Sequence, residues 1–271
     1  MSIKGETLRI NGLDFNVLVE GEGPDVLLIH GFPDSNAVWR YQIPALVEAG
    51  FRVIAPDLRG FGETTAPTHV TDYRIDRYVA DLVAILDELG VEKARVAGHD
   101  WGAAVGWQLC MQQTARVDRY AALSVGHPSA YARDGIAGKL RAYYIGFFQI
   151  RGVSEKAVAA NDWWLWRRML RYDGEMATWK ADLSRPGRLT AAINIYRANP
   201  TMLVAHDWPK VSVPVLGIWG EGDVALVEGQ MIDSEEYVEA PWRYEHVAGG
   251  THWVQLEAPE RTTSLLLDFF A

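Results

Sequence analysis

Gly98-His99-Asp100-Trp101-Gly102 is the stretch that most limits how this chain can fold. It follows a short apolar run, residues 94–97, that reads as a buried strand. It leads into a run in which Ala103, Trp107 and Cys110/Met111 recur at helical spacing. A strand that becomes a helix with no intervening loop must reverse within a few residues, and Gly98 and Gly102 supply the missing side chains that allow this. The apex residue is Asp100. In turns of the G-x-S-x-G type the apex presents a serine nucleophile beside a free backbone N–H. A carboxylate in that place would form an ester with whatever it attacks.

The elements around this turn alternate. Asn11-Gly12 separates residues 8–10 from 13–19 and predicts a hairpin. Residues 25–30 and 52–57 are apolar runs without alternation, as expected of strands covered on both faces. Each ends in a glycine-bearing loop, His30-Gly31-Phe32-Pro33 and residues 57–62. A helix is expected from about Trp39 to Glu48, closed by Gly50. Ile75, Tyr78, Val79, Leu82, Leu86 and Leu89 then share one helical face that ends at Gly90. Residues 121–125 read as another strand. The alternation predicts an α/β fold with a mostly parallel sheet flanked by helices. From about 128 to 209 no buried strand is legible, and residues 213–219 resume the pattern. The expected organisation is a core formed by 1–128 and 210–271, with 129–209 inserted as a helical cap. Residues 245–247 read as the last strand, and Pro259 opens a terminal helix through Phe270.

Composition narrows the function classes. Of 271 residues, 49% are hydrophobic and 23% charged, the balance of a soluble globular protein. A net charge of −9 argues against nucleic acid or an anionic membrane as partner. The one cysteine, Cys110, cannot form an internal disulfide, and residues 1–6 read neither as a signal peptide nor as a membrane span. A reducing, cytoplasmic compartment is therefore expected. Eleven tryptophans suggest an apolar cavity and lid or a Trp-rich core. The histidines lack ligand spacing and the glycine loops match no phosphate-binding pattern, so no metal and no organic cofactor is expected. Oligomeric state leaves no mark in the sequence.

A nucleophilic carboxylate needs a base for the second half of its reaction and a group that orients the base. Asp223 stands just past the 213–219 strand in Gly220-Glu221-Gly222-Asp223, and His252 follows the last strand in Gly249-Gly250-Thr251-His252. The order nucleophile, acid, histidine suits a triad. Glu228 is a second candidate for the acid. His99 is expected to point away from the apex, and His127, His206 and His246 read as structural.

Several of these stretches together resemble the epoxide hydrolases of the α/β-hydrolase fold, the group that includes the soluble epoxide hydrolases. The similar motifs are His30-Gly31-Phe32-Pro33, residues 39–44, Gly60-Phe61-Gly62 and Gly98-His99-Asp100-Trp101-Gly102, and the likeness runs almost end to end. It implies that Asp100 is the nucleophile, His252 the base and Asp223 its partner, with the backbone N–H groups of Phe32 and Trp101 as oxyanion hole. Two cap tyrosines assist such enzymes. Tyr144, five residues ahead of Phe148-Gln149, resembles the first, and Tyr196, in Asn194-Ile195-Tyr196-Arg197, the second. A phenol stays protonated at neutral pH yet is far more acidic than an alcohol, which suits a leaving alkoxide. Tyr143 is expected to face away from Tyr144, about 100° around the helix. Trp163, Trp164 and Trp166 are expected to build the cap or its cavity wall. The implied partners are a small apolar epoxide and water.

The rival readings differ at named positions. Haloalkane dehalogenases share an aspartate followed by tryptophan, but commonly place asparagine where this chain has Phe32. Fluoroacetate dehalogenases keep a phenylalanine there but place arginine where this chain has Trp101. A serine esterase lacks its serine. A catalytically silent binding module would have no need of all five reacting side chains.

Overall fold

The computed structural model describes residues 2–133, 135, 138, 141, 143–203 and 206–271. Asn11 and Gly12 both take positive φ, at 49° and 81°, and join β1 (Glu6–Ile10) to β2 (Leu13–Glu20) as a tight antiparallel hairpin. The hairpin edges a sheet whose other strands are β3 (Asp25–Ile29), β4 (Arg52–Pro56), β5 (Ala94–His99), β6 (Val117–Leu123), β7 (Val215–Gly220) and β8 (Trp242–Val247). The order across it is β1-β2-β4-β3-β5-β6-β7-β8, parallel from β4 through β8. This is the α/β-hydrolase fold. The central strands carry no polar alternation because both faces are covered, and Leu27, Leu28, Val96, Ala121 and Leu216 are fully buried.

The helices that cover the sheet include α1 (Gln42–Glu48), α2 (Ile75–Glu88) and α3 (Trp101–Gln112). Two boundaries differ from expectation. The helix expected from Trp39 is split into a 3-10 turn, Asn36–Trp39, followed by α1. Pro44 has no N–H to give to the carbonyl of Arg40, so one continuous helix cannot form. The strand expected at 121 starts at Val117, because Asp118 and Arg119 lie at a half-buried end where polar residues are tolerated.

Between β6 and β7 the described chain is helical: α4 (Pro128–Tyr131), α5 (Tyr143–Phe148), α6 (Val153–Leu170), α7 (Met176–Leu183) and α8 (Arg188–Ala198). Helix α6 is interrupted by non-helical backbone from Ala160 to Trp163. Arg197 pins this layer from inside, with Glu155 at 2.7 Å and the Phe148 carbonyl at 2.8 Å. Asn199 fastens it to the rest: its side chain accepts the Ile75 N–H at 2.7 Å and donates to the Tyr73 carbonyl at 2.8 Å. The last part of the chain carries α9 (Glu228–Ile232), α10 (Val254–Glu257) and α11 (Pro259–Phe270), the last opening on proline as expected. Among the described residues no helix is long and apolar enough to cross a membrane.

Candidate active site

The carboxyl ends of β5, β7 and β8 lie at one edge of the sheet, and each hands the chain to a site residue. Asp100 follows β5 at φ 53° and ψ −124°, a conformation that costs an ordinary residue on the order of 1–3 kcal/mol. The flanking glycines serve a different need, which is closeness. A Cβ on Gly98 would stand 2.5 Å from the Gly102 carbonyl oxygen, and one on Gly102 would stand 2.2 Å from that of Ile29. The turn is thus pressed against β3 so tightly that the strain falls on the apex.

The apex carboxylate is held at both oxygens. The Phe32 N–H donates to Oδ1 at 2.8 Å, and Oδ2 lies 3.3 Å from Nε2 of His252. Trp101 opens α3, where helical geometry leaves the backbone N–H without an intrahelical carbonyl. On its other side the His252 ring has Nδ1 2.8 Å from Oδ2 of Asp223. Asp223 is fixed in turn, its Oδ1 accepting the N–H groups of Ala225 (2.8 Å) and Leu226 (3.0 Å). Burial disfavours the imidazolium of His252, but the Asp223 and Asp100 carboxylates outweigh it and hold the pKa at about 10. Burial likewise opposes the charge on Asp223, yet His252 and the two amides keep its carboxyl below the ordinary range. Glu228 is turned elsewhere, bonded to the Tyr244 hydroxyl and to Nδ1 of His246.

Two cavities meet at Asp100, and Tyr144 and Tyr196 line both. Their rings stand edge to face at 5.7 Å, and Tyr196 also packs on Phe32 (4.9 Å) and Trp101 (5.1 Å). Burial drives both phenols well above their ordinary pKa, so both remain hydrogen-bond donors. Tyr143 points outward and is 62% exposed. Of the three tryptophans, Trp166 lines one cavity and packs 5.3 Å from Phe32, and Trp163 supports it from 5.8 Å. Trp164 does not line the cavity and faces outward from α6 at 60% exposure.

A buried layer beneath the site was not foreseen. His99 does point away from the cavities, but it is not idle: its Nε2 lies 2.8 Å from the His252 carbonyl oxygen, which also accepts the Ser124 hydroxyl at 2.9 Å. Asp34 accepts the indole N–H of Trp179, on α7, at 2.8 Å and that of Trp253 at 2.9 Å. Burial pushes the Asp34 carboxyl up to about 7 against those two donors. The available signal was an acid directly after Pro33 in a chain rich in tryptophan. Among the described residues no group of three or more His, Cys, Asp and Glu side chains could hold a metal ion. His127 caps α4, its Nδ1 accepting the Ser129 N–H at 3.2 Å.

The family model of the alpha/beta hydrolase fold matches residues 24–259. The chain is 32% identical to epoxide hydrolase A of Mycobacterium tuberculosis, over 96% of this chain and 94% of that one. It is 31% identical to human epoxide hydrolase 4, over 97% and 77%. The crystal structure of epoxide hydrolase VrEH1 from Vigna radiata superposes with a TM-score of 0.85 at 30% identity, covering 99% of this chain and 98% of that one. The chain therefore belongs to the α/β-hydrolase family, in the epoxide-hydrolase group that these relatives define.

Proposed function

We propose that the protein hydrolyses epoxides to vicinal diols through a covalent ester of Asp100, with residues 129–209 serving as the cap that closes over the substrate. The observation that carries this reading is the convergence of two protonated phenols, Tyr144 and Tyr196, on the same cavities as a carboxylate already paired with His252. The epoxide oxygen accepts hydrogen bonds from the two hydroxyls while Oδ2 of Asp100 attacks a ring carbon, the C–O bond opens and a phenol proton passes to the alkoxide. Oδ2 is the nucleophilic oxygen because Oδ1 is held by the Phe32 N–H.

Alkylation turns Asp100 from an anion into a neutral ester, which removes one of the two charges that hold the proton on His252. The imidazolium releases its proton, which restores the phenol that protonated the alkoxide, and the neutral imidazole becomes a base. It takes a proton from water, the hydroxide adds to Cγ of the ester, and the charge that develops on Oδ1 faces the N–H groups of Phe32 and Trp101. Losing one donor of this kind costs roughly 10²–10³-fold in comparable sites. Collapse breaks the Cγ–Oδ2 bond, the imidazolium protonates the leaving oxygen, the diol leaves, and the carboxylic acid of Asp100 returns a proton to His252. Asp223 keeps the imidazole in register throughout. No resident cofactor is needed, and the single, buried cysteine suits a reducing compartment.

Parallel assays with an aryl epoxide, a bromoalkane and an aryl ester test the reading. Diol release from the epoxide, well ahead of halide or phenolate release, is expected. Halide release as the fastest reaction would overturn it in favour of a dehalogenase, and no product from any of the three would favour a silent binding module.

A further inference from the structure

Two arginines line the cavity on the His252 side, and they are employed differently. Arg141 donates to the backbone carbonyls of Asp223, at 3.0 Å, and of Leu226, so its guanidinium steadies the loop that carries the acid. Arg171 is exposed and, among the described residues, its side chain makes no hydrogen bond or ion pair. Its neighbour Arg167 has Asp162 and Asp173 within 4.0 Å. Arg171 also occupies an unusual place: it ends α6 at φ 52° and ψ 30°, a left-handed position that glycine takes without steric cost. A strained backbone site that carries a cation facing a cavity, with no acid to satisfy it, leaves that cation available to a ligand.

The electrostatic setting points the same way. Among the described lining residues Asp100 is the one carboxylate, opposed by Arg141, Arg171 and His252, in a chain whose net charge is −9. Phe148, Trp166, Met169 and Leu170 make the rest of that wall apolar. The second cavity, bounded by Ala104, Val125, Pro128, Ile145, Met202 and Leu226, has no cationic residue among its described lining. We propose that the His252-side cavity receives the anionic end of an amphiphilic substrate, with Arg171 pairing to a carboxylate carried on an apolar spacer, while the second cavity takes the uncharged end. This rests on the epoxide-hydrolase reading above, but its test does not depend on turnover.

Calorimetric titration with a vicinal diol ending in a carboxylate, and with its carboxamide twin, reads the subsite directly. The wild-type protein is expected to bind the carboxylate about fivefold more tightly, the scale of an ion pair at a solvent-exposed rim. Arg171→Lys should keep most of that ratio, and Arg171→Gly, which suits the backbone and should fold, should bring it close to one. Matching epoxides assayed for diol release should show the same ratios in kcat/KM, carried by KM. Equal affinity for the two ligands in the wild type, or a preference that survives Arg171→Gly, would overturn the subsite. Failure of both epoxides to yield diol would overturn the hydrolase reading instead, and the affinity ratio would still decide the subsite.

Discussion

Nε2 of His252 stands 3.3 Å from Oδ2 of Asp100, so the base and the nucleophile of the proposed reaction are an ion pair before substrate arrives. A base held protonated at the start is no defect in a two-step mechanism. The first step consumes the carboxylate, and its loss is what frees the base for the second.

The pairing sets a titration. Asp100→Asn should lower the His252 pKa from about 10 by about a unit or more, read from the imidazole signals by NMR. The same shift acts on stability. Because the folded pKa lies above the unfolded value near 6.5, the stabilisation is complete below about pH 6.5 and is lost as pH rises through about 10. Denaturant midpoints measured across that window should fall with pH in the wild type and fall less in His252→Gln.

The phenols should act on the first step. Tyr144→Phe and Tyr196→Phe are each expected to slow formation of the Asp100 ester by roughly 10²-fold, and the double variant by more. Phenylalanine keeps the ring contacts of Tyr196 with Phe32 and Trp101, so folding should be retained. Rapid-quench trapping of the ester in a single turnover measures this, and an unchanged trapping rate in the double variant would remove both residues from the chemistry.

The strain at the apex is separable from its charge. Asp100→Gly and Asp100→Ala both delete the carboxylate, but only glycine accepts φ 53° and ψ −124° without cost. Asp100→Gly should therefore be more stable than Asp100→Ala by about 1–2 kcal/mol in denaturant unfolding.

What could be read in the sequence follows physical lines. Strands β3, β4 and β5 were legible because burial on both faces leaves an unbroken apolar run, and the α11 start was legible because proline marks a first turn. The start of β6 was hidden by Asp118-Arg119, and that of β8 by Trp242-Arg243-Tyr244, at the start of a half-buried edge strand in which the two-residue rhythm is weak. Asp100, Asp223 and His252 could be placed because each follows a strand end. The contacts of Asp34 with Trp179 and Trp253 join positions 145 and 219 residues apart, and no local spacing encodes them. Arg171 was equally invisible, since its role depends on which neighbours leave it unpaired.

The most direct measurement is a single turnover of an epoxide in ¹⁸O-labelled water with enzyme in excess, followed by mass analysis of both product and protein. If Oδ2 of Asp100 attacks carbon and water then attacks Cγ, the diol carries no label and the peptide containing Asp100 gains one heavy oxygen. A labelled diol with an unlabelled Asp100 would mean that water attacks the epoxide directly, and would contradict the covalent mechanism.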